Sequence, residues 1–142
     1  EHGLAQGAFL ELNCYVGNYY GTPKAPVLAA VEQGRDAVIE VDVNGAAQIR
    51  QKLPECVSIF IMPPSFSVLK NRLRGRNTES EAQITERLNA ALREIERAGE
   101  FDYIVVNDAL EKAVTDFITV IESSRLQYKN QKNIIDEVLK KC

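Results

Sequence analysis

The sequence predicts an α/β fold with a layered core built on a parallel sheet. Three short runs, at 37–41, 57–61 and 103–106, are apolar almost throughout, as expected of strands covered on both faces. Segments with helical spacing of apolar residues separate these runs, and alternating strands and helices favour parallel pairing through right-handed crossovers. With 142 residues, 45% of them hydrophobic and 26% charged, the chain can form one domain with its own core.

The first third of the chain is predicted to hold a strand, an aromatic turn and a helix. Residues 8–12 are predicted as a short strand, and residues 17–21 as a turn that carries two tyrosines. Thr22 is expected to cap the next helix, with Pro23 in its first position and Gly34 at its end. The aromatic turn therefore lies directly before a helix start.

Capping residues predict the helices in the middle of the chain. A short helix is expected over 45–52, and Ser65 is expected to cap another that runs to about Arg74. Ser80 and Gln83 have the spacing of a capping box and open a longer helix. These helices lie between the apolar runs, as an α/β fold requires.

A second capping box, Asp108 with Glu111, is expected to open the last helix. Its apolar positions continue more weakly to Leu139, with a break expected near Lys129-Asn130. The apolar positions of its first part have helical spacing and are Ala113, Val114, Phe117, Ile118 and Ile121.

Composition excludes several classes of protein. The net charge of -3 argues against a general nucleic-acid or anionic-membrane binder, and no apolar run is long enough to span a bilayer. Three widely spaced cysteines, Cys14, Cys56 and Cys142, form with the single His2 neither a zinc signature nor a disulfide framework. We expect a cytoplasmic protein, and the start at Glu1 rather than Met is compatible with a missing upstream segment.

Arginines are concentrated in one stretch of this acidic protein. Arg72-Leu-Arg-Gly-Arg76 is followed eleven residues later by Arg87. Arginine is always charged, and its planar fork of donors matches phosphate oxygens. The residues alone leave two interpretations open: a segment that closes over a polyphosphate, and a solvated helix-loop-helix surface.

Polar residues follow the predicted strands, where ligands of α/β folds bind. Glu40 and Asp42 are two apart, so on a strand both side chains would point to the same face. Two like charges there seldom serve stability; they suit a Mg²⁺ ion held largely through water, or a polar ligand edge. Asn107 and Asp108 follow the run at 103–106.

Seven short motifs, in this order along the chain, resemble the guanylate kinase family. They are Phe9-Leu-Glu11, Gly17-Asn-Tyr-Tyr-Gly-Thr22, Val38-Ile-Glu-Val-Asp-Val-Asn-Gly45, Ile59-Phe-Ile-Met-Pro-Pro-Ser65, Arg72-Leu-Arg-Gly-Arg76, Arg87-Leu88 and Val105-Val-Asn-Asp108. The resemblance implies a P-loop kinase fold and the transfer of the terminal phosphoryl group of ATP to GMP, with Mg²⁺, to give ADP and GDP. It covers the chain from about residue 9 to about residue 125.

The resemblance also implies how the chain is divided. Residues 1–142 would form a single guanylate kinase-like domain. Within it, 1–35 would be a remnant of the GMP-binding subdomain, 36–68 and 100–142 the core, and 69–99 a mobile helical lid.

The resemblance assigns the GMP site to four residues. Glu11 would read guanine, because a carboxylate can accept from both N1–H and the exocyclic amine, a donor pair that adenine lacks. Thr22 would donate to guanine O6, Tyr20 would contact the GMP phosphate, and Asp42 would lie near the guanine and the metal.

The remaining roles implied by the resemblance concern ATP, the metal ion and phosphoryl transfer, with Asn107 near the adenine. Arg72, Arg76 and Arg87 would be catalytic lid arginines that neutralise charge on the transferred phosphoryl group when the lid closes. Arg76 and Asn107 would bind ATP. Glu40 and Asp42 would hold Mg²⁺ through water.

One departure from the family pattern bears on function. The Gly-rich P-loop ending in Lys-Ser/Thr, which holds the ATP phosphates, is not found in this sequence. Either the sequence is truncated or the natural product lacks the loop. We expect the 142-residue chain alone to have negligible activity. If a sheet edge is left open, we also expect the chain to form a homo-oligomer or a swapped dimer.

Smaller departures and one alternative function also follow. Cys14, Pro23 and Asn77 differ from the residues that the family often has at these places. The missing loop favours an alternative, a guanylate kinase-like protein-interaction module with no catalysis, whereas the retained lid arginines disfavour it. An adenylate-specific kinase does not explain Glu11 beside the Tyr-Tyr-Gly-Thr turn.

Overall fold

The structure is a computed structural model that describes residues 7–15, 17–75 and 79–140. His2, Arg76, Asn77 and Cys142, singled out above from the sequence, lie outside these ranges. The chain forms two compact units, residues 1–56 and residues 57–142, which are described in turn. The finer division predicted above into subdomain, core and lid stays a prediction.

The first unit is built on a β-hairpin. Strand β1 (Phe9–Tyr15) pairs antiparallel with β2 (Asn18–Pro23), and helices α1 (Lys24–Glu32) and α2 (Val43–Lys52) follow. Gly17, between the strands, has a φ of +78°, a left-handed conformation that glycine adopts without steric cost. Strand β1 confirms the strand predicted over residues 8–12.

The expectation of a turn over residues 17–21 is wrong, because most of this segment is strand β2. Two tyrosines next to a glycine suit a turn, but aromatic residues also favour strands when a partner strand is near. The predicted cap is wrong as well: Pro23 rather than Thr22 is the N-cap of α1, and Pro23 makes no side-chain capping hydrogen bond. Gly34, with a φ of +75°, follows the end of α1 as predicted.

The apolar run at 37–41 has no regular secondary structure and is not a strand, which corrects the prediction. A strand needs a partner to take its backbone hydrogen bonds, and in the described ranges this run has no ladder partner. Val38 is 69% exposed, so the run is not covered on both faces either. Composition alone had suggested a buried strand here.

Helix α2 packs against β1 and begins at a carboxylate cap. Asp42 is its N-cap, and Asp42 Oδ1 accepts a hydrogen bond from Gly45 N at 2.7 Å. Val43, Ala46 and Ile49 are buried along one side of the helix. The cap therefore places an acidic side chain at the end of a well-packed helix.

The second unit contains a parallel pair of strands, as predicted. Strands β3 (Ile59–Met62) and β4 (Tyr103–Val106) pair in register, and Asn107 N extends the ladder by donating to Met62 O at 2.8 Å. The helices of this unit are α3 (Phe66–Arg74), α4 (Glu81–Glu96), α5 (Leu110–Arg125) and α6 (Lys132–Leu139), with short 3₁₀ turns at Ala98–Glu100 and Tyr128–Asn130.

Three of the four predicted features of these helices are confirmed. Ser65 caps α3 through Val68 N, and Ser80 and Gln83 form the reciprocal capping box of α4. The helical segment is interrupted between α5 and α6, near Asn130. The capping box at Asp108 is wrong, because α5 begins one residue later than that box requires. Its N-cap is Ala109, which has no capping side chain.

The sheet of this unit is covered less completely than predicted. Val105 is 2% exposed, but Ile104 is 52% exposed and Ile61 49% exposed. Within the described ranges, the two strands are therefore not buried on both faces. None of the helices in the part of the chain that is described is long and apolar enough to cross a membrane.

A polar lock joins the segments that lead into the two parallel strands. Asp102 Oδ2 accepts from Ser58 N at 2.8 Å and from Ser58 Oγ at 2.9 Å, and Asp102 N donates to Ser58 Oγ at 3.0 Å. Ser58 is buried, so its polar groups depend on these bonds.

We therefore expect Asp102→Ala to lower the free energy of unfolding by about 1–2 kcal/mol, because it leaves buried donors of Ser58 without their acceptor. Urea denaturation followed by circular dichroism would measure this. The matched control is Asp108→Ala, an exposed aspartate near the other end of β4, for which we expect a change below about 0.5 kcal/mol. Equal unfolding midpoints for the two variants would contradict a stabilising role for the hydrogen bonds between Asp102 and Ser58.

Candidate functional site

Four polar side chains share one face of the hairpin in the first unit. In the strand register, Glu11 lies opposite Thr22 and Asn13 lies opposite Tyr20. Opposite residues of an antiparallel pair, and residues two apart on one strand, project from the same face. The structure thus brings three of the residues predicted to bind GMP, Glu11, Tyr20 and Thr22, onto one surface.

Glu11 is the buried member of this face. Its residue is 6% exposed, and its Oε1 accepts a hydrogen bond from Thr22 Oγ1 at 2.9 Å. A buried carboxylate is costly unless it is hydrogen-bonded, and the hydroxyl also restricts its rotation. Thr22 therefore orients the carboxylate, a role that replaces the helix cap expected from the sequence.

Asn13 joins the hairpin to helix α2. Its Nδ2 lies 3.4 Å from Glu11 Oε2 and 3.5 Å from Asp42 Oδ1. Both distances are long for hydrogen bonds, so the amide acts as a weak donor shared between two acids. Asp42, predicted from the sequence as a site residue, is in this way placed beside Glu11.

The sequence analysis missed Asn13, although a signal for it was present. Asn13 follows Glu11 by two positions on a strand, so the alternation of side chains places both residues on the same face. Tyr20, on the same face and opposite Asn13, is 59% exposed. An exposed phenol beside a buried carboxylate gives the face both a shielded end and a solvent-accessible end.

Glu40 lies two residues before Asp42 but does not share a strand with it. Since residues 37–41 form no strand, the argument that both acids point to one face is lost. Glu40 and Asp42 are both exposed, and within the ranges described no group of three or more His, Cys, Asp or Glu side chains could hold a metal ion. The carboxylates fit Mg²⁺ only as one or two ligands or water-mediated partners, which is how this ion is often held.

A predicted catalytic arginine, Arg72, meets a predicted ATP-binding residue, Asn107, in the second unit. Arg72, in the last turn of α3, donates from Nη1 to the backbone oxygen of Asn107 at 2.8 Å. Asn107 directly follows β4. The contact holds a guanidinium group at the carboxyl end of the parallel strands, where α/β folds bind ligands.

Arg87 is held by a carboxylate in this structure. Its Nη1 lies 3.0 Å from Glu79 Oε1 and 2.9 Å from Glu79 Oε2, and the neighbouring Arg74 pairs with Glu81 at 3.2 Å. Arg87 thus already binds an anionic group through its oxygens, and a phosphate group also offers negatively charged acceptor oxygens to a guanidinium. Arg76, the third predicted catalytic arginine, lies outside the described residues.

Comparison with known proteins agrees with this picture. The family model "Guanylate kinase" matches residues 1–124. A guanylate kinase from Neisseria gonorrhoeae is 48% identical over 139 residues, which are 98% of this chain and 68% of that protein. A guanylate kinase from Nostoc sp. is 51% identical over 114 residues, covering 80% of this chain and 57% of that protein.

A solved structure is also similar. The crystal structure of guanylate kinase from Anaplasma phagocytophilum matches with a TM-score of 0.72 and 26% identity. The match covers 89% of this chain and 61% of that one, so the chain spans between 57% and 68% of the length of these three relatives. On the family match and the coverage of its relatives, the chain belongs to the guanylate kinase family.

Proposed function

We propose that the protein transfers the terminal phosphoryl group of ATP to GMP, giving ADP and GDP. The observation that carries the proposal is the buried carboxylate of Glu11, held by Thr22 on a hairpin face that also presents Asn13 and Tyr20. Membership of the guanylate kinase family supports the reaction class. The proposal names GMP because the chemistry of this face matches guanine.

Guanine presents two donors side by side, N1–H and the 2-amino group, and the two oxygens of Glu11 can accept both. Adenine would bring its acceptor N1 against the carboxylate. Adenine would therefore lose the hydrogen bond that guanine N1–H makes, and its N1 would be repelled by the carboxylate oxygen. Thr22 donates to Glu11 in the structure, and a hydroxyl can rotate to donate to guanine O6 instead. Asp42, linked through Asn13, would lie beside the 2-amino group.

In the transfer, an oxygen of the GMP phosphate forms a bond to the γ-phosphorus of ATP while the bond from that phosphorus to ADP breaks. The protein's part is to position the two phosphates and to offset their negative charge. We assign this part to Arg72 and Arg87, together with Arg76. Arg87 would exchange Glu79 for a phosphoryl group, and Asn107 would lie near ATP, next to Arg72.

Mg²⁺, when bound with ATP, would neutralise charge on the phosphate oxygens. Glu40 and Asp42 would hold it through water. Asp42 has one oxygen engaged by Gly45 N, which keeps the carboxylate at the start of α2. The ion and the base would therefore approach the same acidic end of the first unit.

The P-loop stretch is not found in this sequence, so we propose that the 142-residue chain by itself has negligible turnover. The same observation favours the alternative, a protein-interaction module. Retained arginines at positions 72 and 87 favour the enzyme. GMP and ATP are the proposed partners; a cytoplasmic location, no nucleic acid or membrane partner, and a homo-oligomer or swapped dimer stay predictions.

The proposal is tested by a coupled assay of ADP formation with the full-length gene product, ATP, Mg²⁺ and either GMP or AMP. We expect turnover with GMP, and Glu11→Gln should lower kcat/KM for GMP about 100-fold, because the neutral amide loses two charge-assisted hydrogen bonds. Glu137→Gln, the same change at an exposed position on α6, should match the wild type. No turnover of GMP, or a Glu11→Gln variant with unchanged kcat/KM, would contradict the proposal.

A second prediction concerns Arg87. Arg87→Lys keeps the charge but removes the planar fork, so we expect kcat to fall about 100-fold with a small change in KM for GMP. The control is Arg74→Lys, which alters another ion-paired arginine of the same segment and should leave kcat nearly unchanged. Both variants would be measured by steady-state kinetics. A normal kcat for Arg87→Lys would remove Arg87 from the phosphoryl-transfer machinery.

A further inference from the structure

Gln48, on helix α2, binds the backbone of β1 in the way a neighbouring strand would. Gln48 Oε1 accepts from Leu12 N at 3.0 Å, and Gln48 Nε2 donates to Leu12 O at 3.3 Å. The side-chain amide therefore satisfies both outward-facing groups of one residue at the edge of the hairpin. Leu12 lies between Glu11 and Asn13, so the anchor point is in the middle of the candidate site.

A third contact extends from Gln48 to a side chain of the site. Gln48 Nε2 also lies 3.4 Å from Asn13 Oδ1. An amide has a donor end and an acceptor end, and the contact with Gln48 occupies the acceptor end of Asn13. The donor end, Asn13 Nδ2, is thereby directed towards Glu11 Oε2 and Asp42 Oδ1.

We propose that Gln48 is a positioning residue for guanine recognition. It fixes the stretch of β1 that carries Glu11 to the helix that carries Asp42, and it sets which end of the Asn13 amide faces the two acids. It acts through Leu12 and Asn13 and is not expected to contact the nucleotide. The proposal rests on the proposed function, because it takes Glu11 as the carboxylate that reads guanine.

The packing of α2 on β1 does not depend on Gln48 alone. Lys52 Nζ donates to Phe9 O at 2.8 Å, and Val43, Ala46 and Ile49 are buried along the helix. Loss of the Gln48 bonds should therefore leave the unit folded while it loosens the site. Lys52 also provides a comparison, since its hydrogen bond joins the same two elements at Phe9 rather than at a residue of the candidate site.

The test uses Gln48→Met, which keeps the length of the side chain and removes its hydrogen bonds. In the full-length gene product we expect KM for GMP to rise about 5- to 30-fold, with kcat changed less than about twofold, because binding in the ground state and in the transition state is weakened alike. KM for IMP, which lacks the 2-amino group, should rise less, so the preference for GMP over IMP should fall.

Two control variants separate positioning from general stability. Gln51→Met makes the same chemical change at an exposed position of α2, and Lys52→Met removes a purely structural link between α2 and β1. Both should keep the wild-type preference for GMP over IMP. A Gln48→Met variant with the same KM and the same preference as these controls would overturn the proposal.

A further variant guards against loss of the fold. Gln48→Glu keeps an acceptor for Leu12 N but has no donor for Leu12 O or Asn13 Oδ1, so it should also raise KM for GMP. If circular dichroism shows that Gln48→Met is unfolded, Gln48→Glu becomes the deciding variant. An unchanged KM for GMP in Gln48→Glu would then overturn the proposal. If the wild type does not use GMP, both this proposal and the proposed function fail; if it does, only the variants decide the role of Gln48.

Discussion

The burial of the Glu11 carboxylate is the constraint on which the candidate site depends. Glu11 is 6% exposed as a residue, and a carboxylate that is buried loses hydration that hydrogen bonds must replace. In the described residues, the Thr22 hydroxyl and the more distant Asn13 amide supply two donors. A carboxylate has room for about four such bonds, so acceptor capacity remains for the paired donors of a guanine edge. Gln48 and Asp42 are linked to the site through Asn13.

Much of the fold could be predicted because its signals are local. The caps at Ser65 and Ser80 and the strand at 103–106 depend on neighbouring residues, and the structure confirms them. The strand predicted at 37–41 was wrong because apolar composition does not reveal whether a partner strand is present. The predicted helix cap at Thr22 was wrong for a related reason. A Thr-Pro pair fits a helix start locally, whereas the pairing of Thr22 with Glu11 depends on a strand eleven residues away.

The site divides in the same way. Ordered motifs were enough to select Glu11, Thr22 and Asp42 as candidates, and the structure places these three side chains in one hydrogen-bonded group through Asn13. Asn13 could have been found from strand alternation. Gln48 could not, because its contact with Leu12 spans 36 positions and a glutamine on a helix has no sequence signature of its own.

The most direct measurement is an NMR titration of the ¹⁵N-labelled 142-residue chain with GMP, and with AMP in parallel. If the Glu11 carboxylate reads the guanine edge, GMP should shift the backbone amides of residues 11–13, 20–22 and 42–45 in a saturable way, and AMP should leave them unchanged. Equal shifts with both nucleotides, or GMP-induced shifts confined to other parts of the chain, would contradict a base-reading role for Glu11.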